Sequence, residues 1–235
     1  MLHALGQLGV SLALRKIPVA PFAGAAYKTT LTTTVNETTS IFTGVSVGAP
    51  HPDRVVVLAI HQGVNGDVTA ASVADYAFYH KTRLNEFAIT AHRLPNDVSN
   101  AGISISATSS LRKSIGIFVC YPSNPIPTDF GSASAAAGNN AVIGNLEAQG
   151  GGCLIYSGGQ NATLGSFTTT FGGGEAVNED VDAQYESAST YTQGHINLIT
   201  SAMGATARTL QMAASVNGTK RLVAVLFGPP RYWVG

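Results

Sequence analysis

From Lys28 onward the chain reads as short apolar–polar alternations, a period-two pattern that predicts strands rather than helices. Strands are expected near 28–35, 39–47, 54–62, 68–80, 86–94, 102–109 and 112–121, then near 152–157, 163–171, 181–192, 206–214 and 220–228. Val55 to Ile60 form an unbroken apolar run, the signature of a strand covered on both faces. Ile103, Ile105 and Ala107 instead alternate with Ser104, Ser106 and Thr108, as expected of a half-buried strand. Val55, Val57, Val223 and Val225 are the expected core. Turn chemistry separates the strands at Asn65-Gly66-Asp67, Pro95-Asn96-Asp97 and Asn100-Ala101-Gly102. Asn217-Gly218 between two apolar runs is a hairpin signal. The expected fold class is all-β, an antiparallel β-sandwich that is jelly-roll-like. No fixed-period repeat is visible, which argues against a propeller or a solenoid.

Two stretches depart from this pattern. Residues 1–27 are expected to be an N-terminal arm and linker, helical or extended, ahead of a sandwich spanning 28–235. Leu2, Leu5, Leu8, Leu12 and Leu14 fall at partly helical spacing, and Pro18 and Pro21 stiffen the linker over 17–26. Leu5, Leu8 and Leu12, with Tyr232 and Trp233 at the other end, are the expected contacts with other subunits. The second stretch, 122–152, holds Pro122, Pro125 and Pro127 and then a Ser/Ala/Gly-rich segment. It is expected to be a long crossover with a short helix near 142–148, the alternative being a functional lid or contact loop.

Composition narrows the function. Charged residues make up only 11%, against about a quarter in ordinary domains. The surface must therefore be largely Thr, Ser, Asn, Gln and Gly. Thirteen basic and thirteen acidic residues cancel, a balance that favours association over solubility. Such a surface exerts little pull on nucleic acid or anionic lipid, and neither is expected as a partner. The apolar start lacks a basic segment ahead of it, so no cleaved signal is expected. The chain has no run of 18 apolar residues, so no membrane-spanning helix is expected.

Candidate chemistry is sparse. No nucleophile elbow, phosphate loop or paired-cysteine motif occurs, and no cofactor, metal or catalytic residue is expected. His61, His80 and His92 would have to converge across strands to hold a metal. Glu175, Glu179, Asp180, Asp182 and Glu186 gather in one segment, 175–186, read as a solvated acidic loop or a cation loop. Cys120 and Cys153 read as buried strand residues, with a disulfide between them left open. Tyr76, Phe78 and Tyr79 form the densest aromatic patch, suited to packing or to stacking on a sugar.

The phrases Phe42-Thr43-Gly44-Val45-Ser46-Val47-Gly48 and Asp53-Arg54-Val55-Val56-Val57-Leu58-Ala59 resemble β-sandwich structural proteins of tailed phages and prophages of alphaproteobacteria. The acidic phrase Glu179 to Ser189 is similar to one in the second half of those proteins. The resemblance spans roughly residues 40–228 and implies a virion component from the tail, a fibre or the head surface. It implies a homo-oligomer, such as a trimer, packed on other virion proteins, and transfers no catalytic residue. The alternative is a carbohydrate-binding or host-adhesin module whose partner is a host surface glycan.

Overall fold

The computed structural model describes residues 24–63, 66–161, 165–185, 189–198 and 206–230, all strand, turn or loop. The arm residues Leu5, Leu8 and Leu12, and Tyr232 and Trp233 at the other end, lie outside the described residues. Nine strands precede the proline-rich segment at 122–128: β1 (Ala25–Thr32), β2 (Glu37–Ser46), β3 (Val55–Gln62), β4 (Val68–Val73), β5 (Tyr76–Ala77), β6 (His80–Leu84), β7 (Phe87–Arg93), β8 (Asn100–Leu111) and β9 (Lys113–Cys120). Eight come after it: β10 (Asp129–Ala135), β11 (Ala141–Ala148), β12 (Cys153–Gln160), β13 (Phe167–Phe171), β14 (Val177–Tyr185), β15 (Ser189–Asn197), β16 (Thr206–Ala214) and β17 (Lys220–Phe227).

The first nine strands nest like a folded hairpin: β1 pairs with β9, β2 with β8, β3 with β7 and β4 with β5, all antiparallel. This is a jelly-roll pairing. It yields a five-stranded sheet, β1-β9-β3-β7-β6, and a four-stranded sheet, β2-β8-β4-β5. The same nesting recurs in the second half, where β10 pairs with β17, β11 with β16 and β12 with β15. Its sheets are β10-β17-β12-β15-β14 and β11-β16-β13. The chain is therefore two topologically matched sandwiches.

The two five-stranded sheets pack face to face, so the molecule is a stack of four layers with three cores. Val56, Leu58 and Ile60 meet Val73, Ile103 and Ile105 inside the first sandwich. Leu154, Tyr156 and Leu226 meet Phe167, Leu210 and Met212 inside the second. Between them Val55, Val57, Ile89 and Phe118 meet Ile155, Val223, Val225 and Phe227. This explains the unbroken apolar run Val55 to Ile60 in β3, and why β9 and β17 are apolar after their first two residues, since both of their faces are covered. β8 lies in an outer sheet and alternates accordingly. Burying one aliphatic or aromatic side chain contributes roughly 1.5–3 kcal/mol. The middle core is thus a principal support. Polar ties reinforce it: Gln193 donates to the Ala59 carbonyl at 2.8 Å, Ser114 to the Tyr191 hydroxyl at 2.6 Å, and Arg221 pairs with Glu86.

Several expectations need correction. Residues 122–152 do not form a long crossover. They contribute β10 and β11, and the expected helix at 142–148 is strand. Alternating small residues such as Gly131, Ala133 and Ala135 hid a strand whose neighbours sit too close for larger side chains; a Cβ on Gly131 would lie 2.4 Å from Ile143. The span 68–80 breaks at Ala74 and Asp75, which both take positive φ and turn the chain. The span 181–192 is the end of β14 and the start of β15, paired from Tyr185 with Ser189. Asn100-Ala101-Gly102 opens β8 rather than a turn. The Asn217-Gly218 segment joins strands of different sheets, so it makes no two-stranded hairpin.

Candidate functional site: the seam between the sandwiches

Of the aromatic patch, the structure separates what the sequence grouped. Phe78 packs on the first core and meets His92 edge-on at 6.4 Å. Tyr76 and Tyr79 stay exposed at 48% and 42%. Tyr79 stands where the first sandwich meets the linker to the second. Its hydroxyl donates to the Pro125 carbonyl at 2.5 Å. Burial of that hydroxyl pushes the phenol well above its ordinary value, and neighbouring Cys120 adds to this while Arg93 opposes it. The phenol therefore keeps its proton while the residue remains partly exposed.

Tyr79, Arg93, Pro125 and Ile126 line a shallow concavity of about 330 Å³. Arg93 is the last residue of β7, and Pro125 and Ile126 belong to the linker, with Ile126 exposed at 62%. Beside it the rings of His80 and Phe130 meet at 4.9 Å and close the seam between β6 and β10. Sequence reasoning names Pro125 only as part of the 122–152 stretch and does not single out Arg93, Ile126 or Phe130. The Pro-Ile-Pro phrase at 125–127 is the available signal, because an exposed isoleucine between prolines has no packing explanation of its own. The walls are apolar apart from the guanidinium and the phenol.

The other candidates are engaged elsewhere. His61 is buried between the rings of Phe87 and Tyr191, each 4.8 Å away, and burial pushes its pKa down to about 3. His92 bonds Thr90 at 2.9 Å, and burial takes its pKa down to about 4. Among the described residues no three His, Cys, Asp or Glu side chains converge as a metal site would require. Most of the acidic segment is strand β14 rather than a loop, with Glu175 ahead of the strand and Glu186 outside the described residues. Glu179 and Asp182 accept the Thr169 and Phe167 amides of edge strand β13 at 2.6 and 3.2 Å, and Asp180 meets His195 at 2.6 Å. Desolvation raises the pKa of Asp182.

Cys120 and Cys153 are buried thiols from opposite sandwiches that touch across the middle core. Arg54 of the Asp-Arg-Val-Val-Val phrase is buried. Its guanidinium donates to the carbonyls of Gly48, Val98 and Pro95 at 3.0, 2.5 and 2.8 Å, clasping the loops at one end of the first sandwich. The role of that phrase here is structural. No protein-family model, curated protein or solved structure matches the chain.

Proposed function

We propose that this chain is a structural subunit that works by packing on copies of itself and on neighbouring proteins. The supporting observation is the chemistry of its two outermost sheet faces. On β2, β8 and β4 the outward residues include Thr39, Ile41, Thr43, Ser104, Ser106, Thr108, Ala70 and Ser72, none of them charged. On the opposite outer sheet Val142, Thr168, Thr170, Ala207, Thr209 and Gln211 point outward, with Glu147 as the charge near one edge. Proteins that stay monomeric scatter both signs of charge over such faces, and charge depletion is the compositional mark of an interface centre. A brick whose two outer faces carry few charges suits an assembly whose contacts recur on both sides. The sequence resemblance makes a phage virion the assembly proposed, as a tail, fibre or head-surface component.

Light scattering on the full chain tests this. We expect a homo-oligomer at roughly 100 µM, where mass action favours assembly. Placing charge on both faces, Ser106→Arg with Thr209→Arg, should return the 24.2 kDa monomer without lowering its melting temperature. A wild-type chain that remains monomeric at that concentration overturns the reading. Mass spectrometry of purified particles tests the virion assignment directly.

A further inference from the structure

The matched topology of the two sandwiches makes each position of one comparable with a position of the other. Within the inner sheets, Val55 pairs with Cys120 and Arg93, while Cys153 pairs with Phe227 and Asn197. Gln62 opposite Lys113 and Gln160 opposite Lys220 fix the same alignment at the other end of the strands. Arg93 and Asn197 are therefore equivalent, each at the end of its strand where the lead-in to the other sandwich passes.

The two equivalents do different things. Asn197 is consumed by that lead-in: it accepts from the Ala25 amide at 2.6 Å and donates to the Ala25 carbonyl at 3.2 Å. The backbone there is so close that a Cβ on Gly24 would overlap the Asn197 side chain, at 2.1 Å. That seam is filled. At the other seam the lead-in is held instead by Tyr79 through Pro125, and among the described residues the Arg93 side chain makes no hydrogen bond or ion pair, acting on the Tyr79 phenol through its charge alone. What remains is the concavity of about 330 Å³ with one cation, one partly exposed tyrosine and two aliphatic walls.

We propose that this seam binds a saccharide carrying a carboxylate, such as a uronic acid unit. The planar guanidinium of Arg93 takes the carboxylate in a two-point bond. The Tyr79 ring, pinned by its own hydroxyl, stacks against the C–H face of the sugar ring. Ile126 and Pro125 cover the opposite edge. The site stands independently of the assembly reading, and neither needs the other.

The probe is trigalacturonate, with its methyl ester as the uncharged match, titrated into methyl-labelled full-length protein by NMR. The Ile126 methyl should shift with the acid, and the ester should bind at least tenfold more weakly. Arg93→Gln should cost about tenfold in affinity, which is about 1.4 kcal/mol, with an unchanged melting temperature because Arg93 is exposed. Arg93→Lys should recover part of the binding, since it keeps the charge and loses the fork. Equal binding of acid and ester, no shift at Ile126 at saturation, or full affinity in Arg93→Gln each overturns the proposal.

Discussion

At one end of the first sandwich a side chain holds the loops together, while at the matching end of the second the backbone does. Arg54 reaches the carbonyls of Gly48, Pro95 and Val98. Its equivalent is Gly152, which accepts from the Leu198 amide at 3.0 Å, while Gly151 donates to the Leu198 carbonyl at 2.7 Å. The contrast recurs elsewhere. Leu58 and Ala88 in the first core correspond by register to Tyr156 and Thr192 in the second. Strand β4 is covered on its outer side by the backbone of β5, whereas its counterpart β13 ends its sheet and receives the carboxylates of Glu179 and Asp182. His61 fills the middle core where the second sandwich has Gly159. Strand pairing and burial of the inner sheets are thus held constant, and the chemistry that closes the ends and edges is free to diverge.

The sharpest test of this comparison lies at Gly159. A Cβ there would sit 2.4 Å from the Thr190 carbonyl and 2.7 Å from the Phe87 ring, because the His61 stack occupies the space. Gly159→Val should cost about 4 kcal/mol or more, a large effect of the kind overpacking produces. Urea unfolding measures it, and a loss below about 1 kcal/mol would show that the inner sheets tolerate asymmetry there.

Arg54→Met should come next, at about 3 kcal/mol, since it strips three carbonyls of a charged donor while keeping the aliphatic stem. Thermal melts would report it. A neutral outcome would mean that strand pairing alone closes that end.

Acid should then separate the two halves. Burial holds His61 near pKa 3 and His92 near 4, against an ordinary 6.5. The unfolded chain binds these protons first. The stability associated with the neutral rings is complete above about pH 6.5 and drains as pH falls, by about 1.4 kcal/mol per unit for each group, until its folded pKa is reached. Both of these histidines belong to the first sandwich. His61→Phe should keep the ring stack and remove the His61 share of the slope between about pH 6 and 4. Denaturation at a series of pH values checks it, and an unchanged slope would contradict the linkage.

The smallest effect is expected at the edge. Glu179→Ala leaves the Thr169 amide without its carboxylate and should cost about 1 kcal/mol. Faster hydrogen exchange at Thr169 is the direct readout.

Legibility in the sequence obeys the same division. Val55 to Ile60 and Leu222 to Phe227 are dictated by burial on both faces, and their apolar runs alone mark them as central strands. The β10 and β11 strands escape sequence reading because Gly131, Ser132, Ala133 and Ser134 carry little apolar signal, although the close approach of Ile143 demands such small residues. The duplication is hidden because the offset between equivalents drifts, from 98 residues for Val55 and Cys153 to 107 for Lys113 and Lys220. One phrase does repeat, Pro18-x-x-Pro21-Phe22 and Pro122-x-x-Pro125-Ile126, each ahead of a first strand. At the candidate site Tyr79 is visible as part of an aromatic cluster. Arg93 is not, because its meaning depends on Asn197 being its counterpart, a relation that exists only in the folded register.

The central claim is that a shared middle core joins the two sandwiches into one folding unit. Scanning calorimetry of the full chain tests it most directly. Val57, Phe118, Ile155 and Val225 cannot be exposed on one side without exposing the other, so a single endotherm is predicted, with the van't Hoff enthalpy equal to the calorimetric one. Two resolved endotherms, each assignable to one sandwich, would contradict the account.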